Sequence, residues 1–162
     1  MAAATHAFDL VDESATCALA SRAARVMPAA NAPLILYLEG ELGVGKTSFA
    51  RALLTALGET GPVRSPSYGL IAEYEPPSGR VVHLDLYRLQ NPDELEQLGL
   101  RDYLDDSRLW LVEWPDRVER GLPAPDARLQ LTVKDGGRQL NWHAVSGRGQ
   151  EWLRSLTEEP GS

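Results

Sequence analysis

Apolar residues recur along the chain with two periods, one typical of helices and one typical of strands. Residues 13–27 place alanine, leucine and valine near helical spacing, and Asp12 precedes them as a candidate N-cap. Residues 34–38 form a short continuous apolar run, which predicts a strand buried on both faces. Residues 46–57 then predict a helix that Gly58 closes. Helix, buried strand and helix in this order favour an α/β fold.

The middle of the chain contains two strand patterns that each lead to a carboxylate. Residues 81–87 alternate between polar and apolar side chains, which places Asp85 beside His83 on a polar face. Residues 109–112 are apolar and run directly into Glu113. Both carboxylates are therefore expected at or near strand ends.

In the rest of the chain, turn-forming residues mark the ends of the predicted helices and strands. Asn91, followed by proline and acidic residues, predicts the start of a short helix that Gly99 closes. Residues 129–133 and 140–145 are strand candidates on either side of the turn-rich segment 134–137. We therefore expect an antiparallel hairpin near the C-terminus.

A chain of 162 residues with 43% hydrophobic residues fits one compact domain. A last short helix is predicted at 150–156, so we expect a single domain over residues 1–156 and a flexible tail at 157–162. The longest apolar run is too short to span a bilayer, and the N-terminus has no signal-peptide pattern. The sequence predicts a soluble cytoplasmic protein without a membrane partner.

The net charge and the cysteine content of the chain argue against some kinds of binding site. The net charge is −7, which repels a polyanion unless basic residues cluster on one face, so we expect no DNA binding and no extensive contact with RNA by the chain alone. Cys17 is the only cysteine, which excludes an intramolecular disulfide and a thiolate metal cluster.

The residues with the clearest chemistry lie between the first buried strand and its helix. Residues 40–47 read Gly-Glu-Leu-Gly-Val-Gly-Lys-Thr and satisfy the P-loop pattern G-x-x-x-x-G-K-[ST] in full. Its glycines let backbone N–H groups curl around phosphates, and the following helix N-terminus favours anions. Lys46 would neutralise the β- and γ-phosphates, Thr47 would hold Mg²⁺, and Ser48 would bond near the α-phosphate.

A P-loop site also needs acidic side chains that position Mg²⁺ and the attacking water. Asp85 and Glu113 are the candidates, since ligands collect at the carboxyl ends of strands in α/β sheets. Spacing leaves open which of them contacts the metal. Asp85 could instead form a salt bridge or a turn cap with Arg88, and Glu113 could be a strand-end carboxylate exposed to solvent. His83 is assigned no chemical role, because no histidine cluster accompanies it. Trp114 could pack near the nucleotide or anchor the turn at Pro115, and we favour the turn.

Three further segments follow the P-loop in a fixed order: residues 64–70, 83–88 and 111–115. Together the four segments resemble the TsaE family, also called YjeE. The resemblance covers most of the chain and thins out in the C-terminal hairpin. It implies a P-loop NTPase-like three-layer α/β sandwich, in which a mixed sheet has parallel core strands and a C-terminal antiparallel hairpin.

The resemblance also implies roles for individual residues. The implied ATP-binding residues are Glu41, Leu42, Gly43, Val44, Gly45, Lys46, Thr47 and Ser48. Thr47 and Glu113 would hold Mg²⁺, and Lys46, Asp85 and Glu113 would form the catalytic set. Residues 12–16 are expected near the adenine.

Ser65 and Ser67 are candidates for a loop that senses the γ-phosphate. The family usually has threonine at the positions of Ser67 and Gly69. Ser67 keeps a hydroxyl and Gly69 loses one, so this chain lacks the second hydroxyl of the family pattern.

By this resemblance the chain is an ATPase that acts with TsaB and TsaD, which transfer a threonylcarbamoyl group to the adenosine adjoining the anticodon in certain tRNAs. Contact with tRNA is expected through these partners. Because no arginine is identifiable as a built-in finger, slow hydrolysis is expected for the isolated chain.

Three other functions compete with this interpretation. A small-molecule kinase would need an arginine-rich lid, which is not obvious in the sequence. A GTPase would need an Asn-Lys-x-Asp segment to recognise guanine, and none is present. A non-catalytic sensor would bind ATP only to dock on a partner, with Asp85 and Glu113 as structural anchors.

Overall fold

One mixed sheet organises the part of the chain that the computed structural model describes, which is residues 4–29, 31–66, 68–118 and 120–158. Its strands are β1 (Thr5–Leu10), β2 (Leu34–Gly40), β3 (Ile71–Tyr74), β4 (Val81–Asp85), β5 (Leu109–Glu113), β6 (Ala127–Lys134) and β7 (Gly137–Ala144). The helices are α1 (Glu13–Arg25), α2 (Lys46–Ala56), α3 (Asp93–Gln97), α4 (Arg101–Leu104) and α5 (Gly147–Glu158), with a 3₁₀ helix at Pro115–Arg117. The strand order is β1-β7-β6-β2-β5-β4-β3.

The central strands are parallel and the outer strands are antiparallel. β2 pairs in parallel with β5 and β6, and β4 pairs in parallel with β5. β7 runs antiparallel to β6 and β1, and β3 runs antiparallel to β4. The predicted mixed sheet with parallel core strands and a C-terminal hairpin is therefore confirmed.

The parallel arrangement brings the carboxyl ends of β2, β4 and β5 to one edge of the sheet. Glu113 lies between Leu38 of β2 and Asp85 of β4 in the strand register. The loop that starts at Gly40 leaves the sheet at this same edge. The fold thus places the two predicted carboxylates next to the predicted phosphate-binding loop.

Apolar side chains fill the space on both faces of the sheet. Along β2, Leu34, Leu36 and Leu38 belong to one core cluster, together with buried residues of α1, α2 and α5. The alternate residues Ile35 and Tyr37 belong to a second cluster on the opposite face. The continuous apolar run of β2 is explained by this burial on two faces.

Local capping agrees with the signals in the sequence. Asp12 caps α1, since its carboxylate accepts a hydrogen bond from the Ala15 N–H at 2.8 Å. Before α3 the N-cap position is Pro92 instead of the predicted Asn91, although the Asn91 side chain still accepts from the Asp93 N–H at 3.0 Å. Gly58, which follows α2, has φ +108°, a conformation that favours glycine.

Several element boundaries differ from the sequence prediction. The hairpin strands run over Ala127–Lys134 and Gly137–Ala144 instead of 129–133 and 140–145. The strand predicted through residue 87 ends at Asp85, because the side chain of Asp85 accepts the Tyr87 N–H at 3.0 Å and the chain turns. The last helix begins before and ends beyond the predicted 150–156. The predicted tail at 157–162 lies outside the described residues, apart from its first two positions at the end of α5.

The structure also contains elements that the sequence did not predict, namely β1, β3 and α4. Within the described ranges, none of the helices has the length and hydropathy needed to cross a membrane.

Candidate functional site

The loop between β2 and α2 is shaped by glycine and held by the C-terminal hairpin. Gly40 has φ +146° and Gly45 has φ +115°, values that residues with a Cβ rarely adopt. A Cβ at Gly40 would also lie 2.5 Å from the carbonyl oxygen of Leu131 on β6. From β7, the Nε of Arg138 donates to the carbonyl oxygen of Val44 at 2.9 Å. The loop conformation therefore depends on both its own glycines and the hairpin.

Lys46 is the buried cation of the site, with 5% of its surface exposed. Its Nζ donates to the carbonyl oxygens of Gly40 at 2.5 Å and Glu41 at 3.2 Å. The ammonium lies 4.0 Å from the ring centroid of Trp114, a cation–π contact. Burial lowers the pKa of Lys46, and nearby carboxylates, with Glu113 the strongest, oppose this shift.

Thr47 and Glu113 meet across the edge of the sheet. The Thr47 hydroxyl lies 3.1 Å and 3.2 Å from the two carboxylate oxygens of Glu113. Glu113 is 2% exposed, and its Oε2 lies 2.6 Å from Nε2 of His83, which is fully buried. A hydroxyl of the loop and a strand-end carboxylate thus face each other.

Asp85 lies in a different set of contacts. The hydroxyl of Ser65 donates to its Oδ2, and the N–H of Tyr87 donates to its Oδ1 at 3.0 Å. Its own N–H donates to the carbonyl oxygen of Leu70 at 3.0 Å. Asp85 is therefore hydrogen-bonded to Ser65 near the start of segment 64–70 and to Leu70 at its end.

Most of the predicted residues line one cleft of about 400 Å³. Its lining includes Leu42, Gly43, Gly45, Lys46, Thr47, Ser48, Ser65, Asp85 and Glu113, joined by Tyr87, Arg88 and Trp114. A neighbouring cleft of about 300 Å³ shares Gly43, Gly45 and Ser48 with it. That second cleft also contains Asp12, Glu13 and Thr16, from the segment expected near the adenine.

Three predicted residues lie elsewhere. Val44 lines the second cleft and is 3% exposed. Glu41 lies on the far side of the loop, in a third cleft that Trp114 also lines. Ser67 is outside the described residues.

Two residues have a larger place in the site than the sequence indicated. Trp114 precedes the 3₁₀ helix, as expected of a turn residue, but its indole also contacts Lys46 and lies 5.0 Å from the ring of Tyr87. His83 contacts Glu113 directly. The signal available in the sequence was position alone, since Trp114 directly follows Glu113 and His83 shares a strand face with Asp85.

The oxygen donors at this edge fit a hard cation. A hydroxyl from Thr47 and carboxylates from Glu113 and Asp85 line the same cleft, and oxygen ligands are those that Mg²⁺ prefers. Within the described ranges there is no group of three or more histidine, cysteine or acidic residues that could hold a metal by itself.

The sequence profile of a family described as threonylcarbamoyl adenosine biosynthesis protein TsaE matches residues 10–140. The chain belongs to the TsaE family. The matched range spans the loop, both carboxylates and most of the C-terminal hairpin, so the resemblance seen in four short segments extends over most of the chain.

Individual TsaE relatives agree with this assignment. The tRNA threonylcarbamoyladenosine biosynthesis protein TsaE of Haemophilus influenzae is 37% identical over 76% of this chain and 78% of its own length. The protein of the same description from Bacillus subtilis is 39% identical over 76% of this chain and 77% of its own length.

A solved structure supports the same α/β fold. The crystal structure of Bacillus subtilis YdiB superimposes with a TM-score of 0.77 and covers 97% of each chain, at 29% sequence identity. Its coverage includes the C-terminal hairpin, where the sequence resemblance had thinned.

Proposed function

We propose that this TsaE-family chain is a Mg²⁺-dependent ATPase with a P-loop NTPase-like three-layer fold, and that it supports threonylcarbamoylation of tRNA. The observation that carries the proposal is the meeting of Lys46, Thr47 and Glu113 at one cleft, beside a glycine-shaped loop. The role in tRNA modification is inferred from the family, because the relatives are described as tRNA threonylcarbamoyladenosine biosynthesis proteins.

Binding of the triphosphate would use the loop and the start of α2. Backbone N–H groups of this loop and the unpaired N–H groups at the helix N-terminus attract anions. Lys46 lies at this position and would neutralise phosphate oxygens. The neighbouring cleft, which Asp12, Glu13 and Thr16 line, is our assignment for the adenine.

Thr47 and Glu113 are our assignment for Mg²⁺ binding. Their facing oxygens supply a hydroxyl and a carboxylate from two different elements. When bound, Mg²⁺ would neutralise charge on the β- and γ-phosphate oxygens. This assignment gives Glu113 the metal and leaves Asp85 for another task.

Asp85 is our assignment for orienting the attacking water. In hydrolysis, the water oxygen bonds to the γ-phosphorus while the bond from that phosphorus to the β–γ bridging oxygen breaks, and the proton released by the water ends on phosphate or solvent. Asp85 is fixed by Ser65 and by the Tyr87 N–H, so its position is set before substrate arrives. Such pre-positioning lowers the barrier because less reorganisation is needed.

The proposed partners are TsaB and TsaD, with tRNA contacted through them. We expect the isolated chain to hydrolyse ATP slowly, because no arginine finger was identifiable in the sequence and a partner would have to complete the site. A cytoplasmic location follows from a role in tRNA modification.

Phosphate release from ATP, measured with and without TsaB and TsaD, tests the proposal. We expect Mg²⁺-dependent release of ADP and phosphate that is slow for the chain alone and faster with both partners. Absence of release under every condition would reject the ATPase. Transfer of the γ-phosphate to a metabolite would instead identify a kinase.

A second candidate, the non-catalytic ATP sensor, is favoured by one observation. Both carboxylate oxygens of Asp85 already accept hydrogen bonds within the protein, which suits a structural anchor. The variants Asp85→Ala and Glu113→Ala separate the two functions. Nucleotide-dependent partner binding that survives in both variants, without hydrolysis in the wild type, would establish the sensor.

A further inference from the structure

The contact between His83 and Glu113 is buried on both sides. His83 lies in the middle of β4 with 0% exposure, and Glu113 ends the neighbouring strand β5 with 2% exposure. Nε2 of His83 lies 2.6 Å from Oε2 of Glu113, a short distance for a nitrogen–oxygen hydrogen bond. Water has little access to this pair, so the bond is made without competition from solvent.

The other ring nitrogen indicates which atom carries the hydrogen. Nδ1 of His83 is buried and has no hydrogen-bond partner among the described residues. An N–H group left there without an acceptor would cost more than a bare nitrogen lone pair, since buried donors are rarely left unpaired. The N–H is therefore at Nε2, where it donates to Glu113.

Packing alone does not explain a histidine at this position. Val81, which lies on the same face of β4 as His83, is fully buried and apolar, so this face of the strand accommodates an aliphatic side chain. A buried polar ring without a hydrogen bond would be unfavourable. The favourable bond to Glu113 is what accounts for His83 here.

Among the described residues, few groups contact the Glu113 carboxylate and can set its orientation. The Thr47 hydroxyl lies within 3.1–3.2 Å of both oxygens but carries a single hydrogen. The His83 N–H fixes Oε2 from within the sheet, which sets the rotation of the carboxylate and leaves Oε1 without a bond to His83.

We propose that His83 is a positioning residue that orients the Glu113 carboxylate for Mg²⁺. The proposal rests on the proposed function, since it assumes that Glu113 and Thr47 bind the metal. Removing a group that orients a metal ligand commonly costs about 10- to 100-fold in metal affinity or activity. We expect the loss in metal affinity and not in nucleotide affinity, because His83 does not line the nucleotide cleft.

The test compares His83→Leu, which removes the donor, with His83→Gln, whose amide nitrogen reaches the place of Nε2. Mn²⁺ serves as the probe: its binding to the protein with ADP is measured by electron paramagnetic resonance, and ADP affinity is measured separately in EDTA. We expect His83→Leu to weaken Mn²⁺ binding by about 10- to 100-fold with metal-free ADP affinity unchanged. His83→Gln should restore most of the lost Mn²⁺ affinity.

Equal Mn²⁺ affinity in wild type and His83→Leu would overturn the positioning role while leaving the ATPase proposal intact. Failure of the wild type itself to bind Mn²⁺ with ADP would instead overturn the proposed function, and the role of His83 with it. If His83→Leu does not fold, His83→Asn replaces it, because its shorter amide falls short of the Nε2 position. Weaker Mn²⁺ binding in His83→Asn than in His83→Gln supports the role, and equal binding refutes it.

Discussion

At the scale of single residues, burial and nearby carboxylates act in opposite directions on the charge of Lys46. Burial disfavours its ammonium form, while Glu113, Asp85, Glu41 and Asp116 favour that form, in this order. The ammonium is further held by two loop carbonyl oxygens and the face of Trp114. Under the proposed function, phosphate oxygens would be further partners of this ammonium.

We expect Lys46→Ala to weaken ATP binding or abolish turnover while the fold is retained. Loss of a charge-assisted hydrogen bond costs about 1.5–3 kcal/mol, which corresponds to about 10- to 100-fold in affinity. Lys134→Ala is the matched control, because that lysine is half-exposed on β6 and pairs with Asp9. Titration calorimetry with ATP and circular dichroism measure the two properties, and unchanged ATP binding and hydrolysis in Lys46→Ala would rule out the assignment.

The sequence predicted the acidic residues of the site but not their separate environments. Asp85 and Glu113 were recognisable because each lies at the end of an apolar strand. The family resemblance had already grouped Thr47 with Glu113, and the two side chains are in contact. Only the three-dimensional arrangement shows that Ser65 bonds to Asp85, since this contact joins distant parts of the chain. The bond from His83 to Glu113 likewise crosses between two strands.

At the scale of elements, the central strands were predictable from their apolar pattern, whereas the two edge strands were not. β2 and β5 are continuous apolar runs because they are central strands covered on both faces. β1 pairs only with β7 and is mostly exposed, so it has no buried pattern to recognise. β3 is a four-residue strand at the other edge of the sheet, and its sequence Ile-Ala-Glu-Tyr does not alternate between apolar and polar residues.

The junction of α5 with the sheet depends on a close approach of two backbones. A Cβ added to Gly149 would lie 1.8 Å from the carbonyl oxygen of Asp126, which precedes β6. Asp126 is itself fixed, since its carboxylate accepts from the Ile35 N–H at 2.8 Å and from Ser146 at 2.6 Å. Neither partner can move away without breaking these bonds.

We therefore expect Gly149→Ala to lower the free energy of unfolding by about 3 kcal/mol or more, because overpacking against rigid backbone is costly. Gly147→Ala is the matched control in the same helix, where an added Cβ meets no atom within 4 Å. Urea unfolding followed by tryptophan fluorescence measures both variants. Equal stability of the two would show that α5 does not need this close contact.

At the scale of the whole molecule, the charge distribution bears on the proposed division between nucleotide binding and RNA binding. The chain has 23 acidic and 16 basic residues, and its P-loop cation is confined to a cleft. The surface around α3 and α4 is strongly acidic, with exposed carboxylates at Asp93, Glu96, Asp102, Asp105 and Asp106. Such a surface repels a polyanion, while a small anion can still enter a local basic site.

We expect the isolated chain to bind tRNA no more tightly than about 10⁻⁵ M at physiological salt, within the range of non-specific association. Addition of TsaB and TsaD should raise the affinity, because the partners would supply the phosphate contacts. Filter binding over a series of salt concentrations measures both the affinity and the number of phosphates contacted, since the slope of log affinity against log salt reports released counterions. Tight binding by the chain alone with a steep salt slope would show that a basic surface of this chain contacts the RNA directly, and the division of labour with the partners would be wrong.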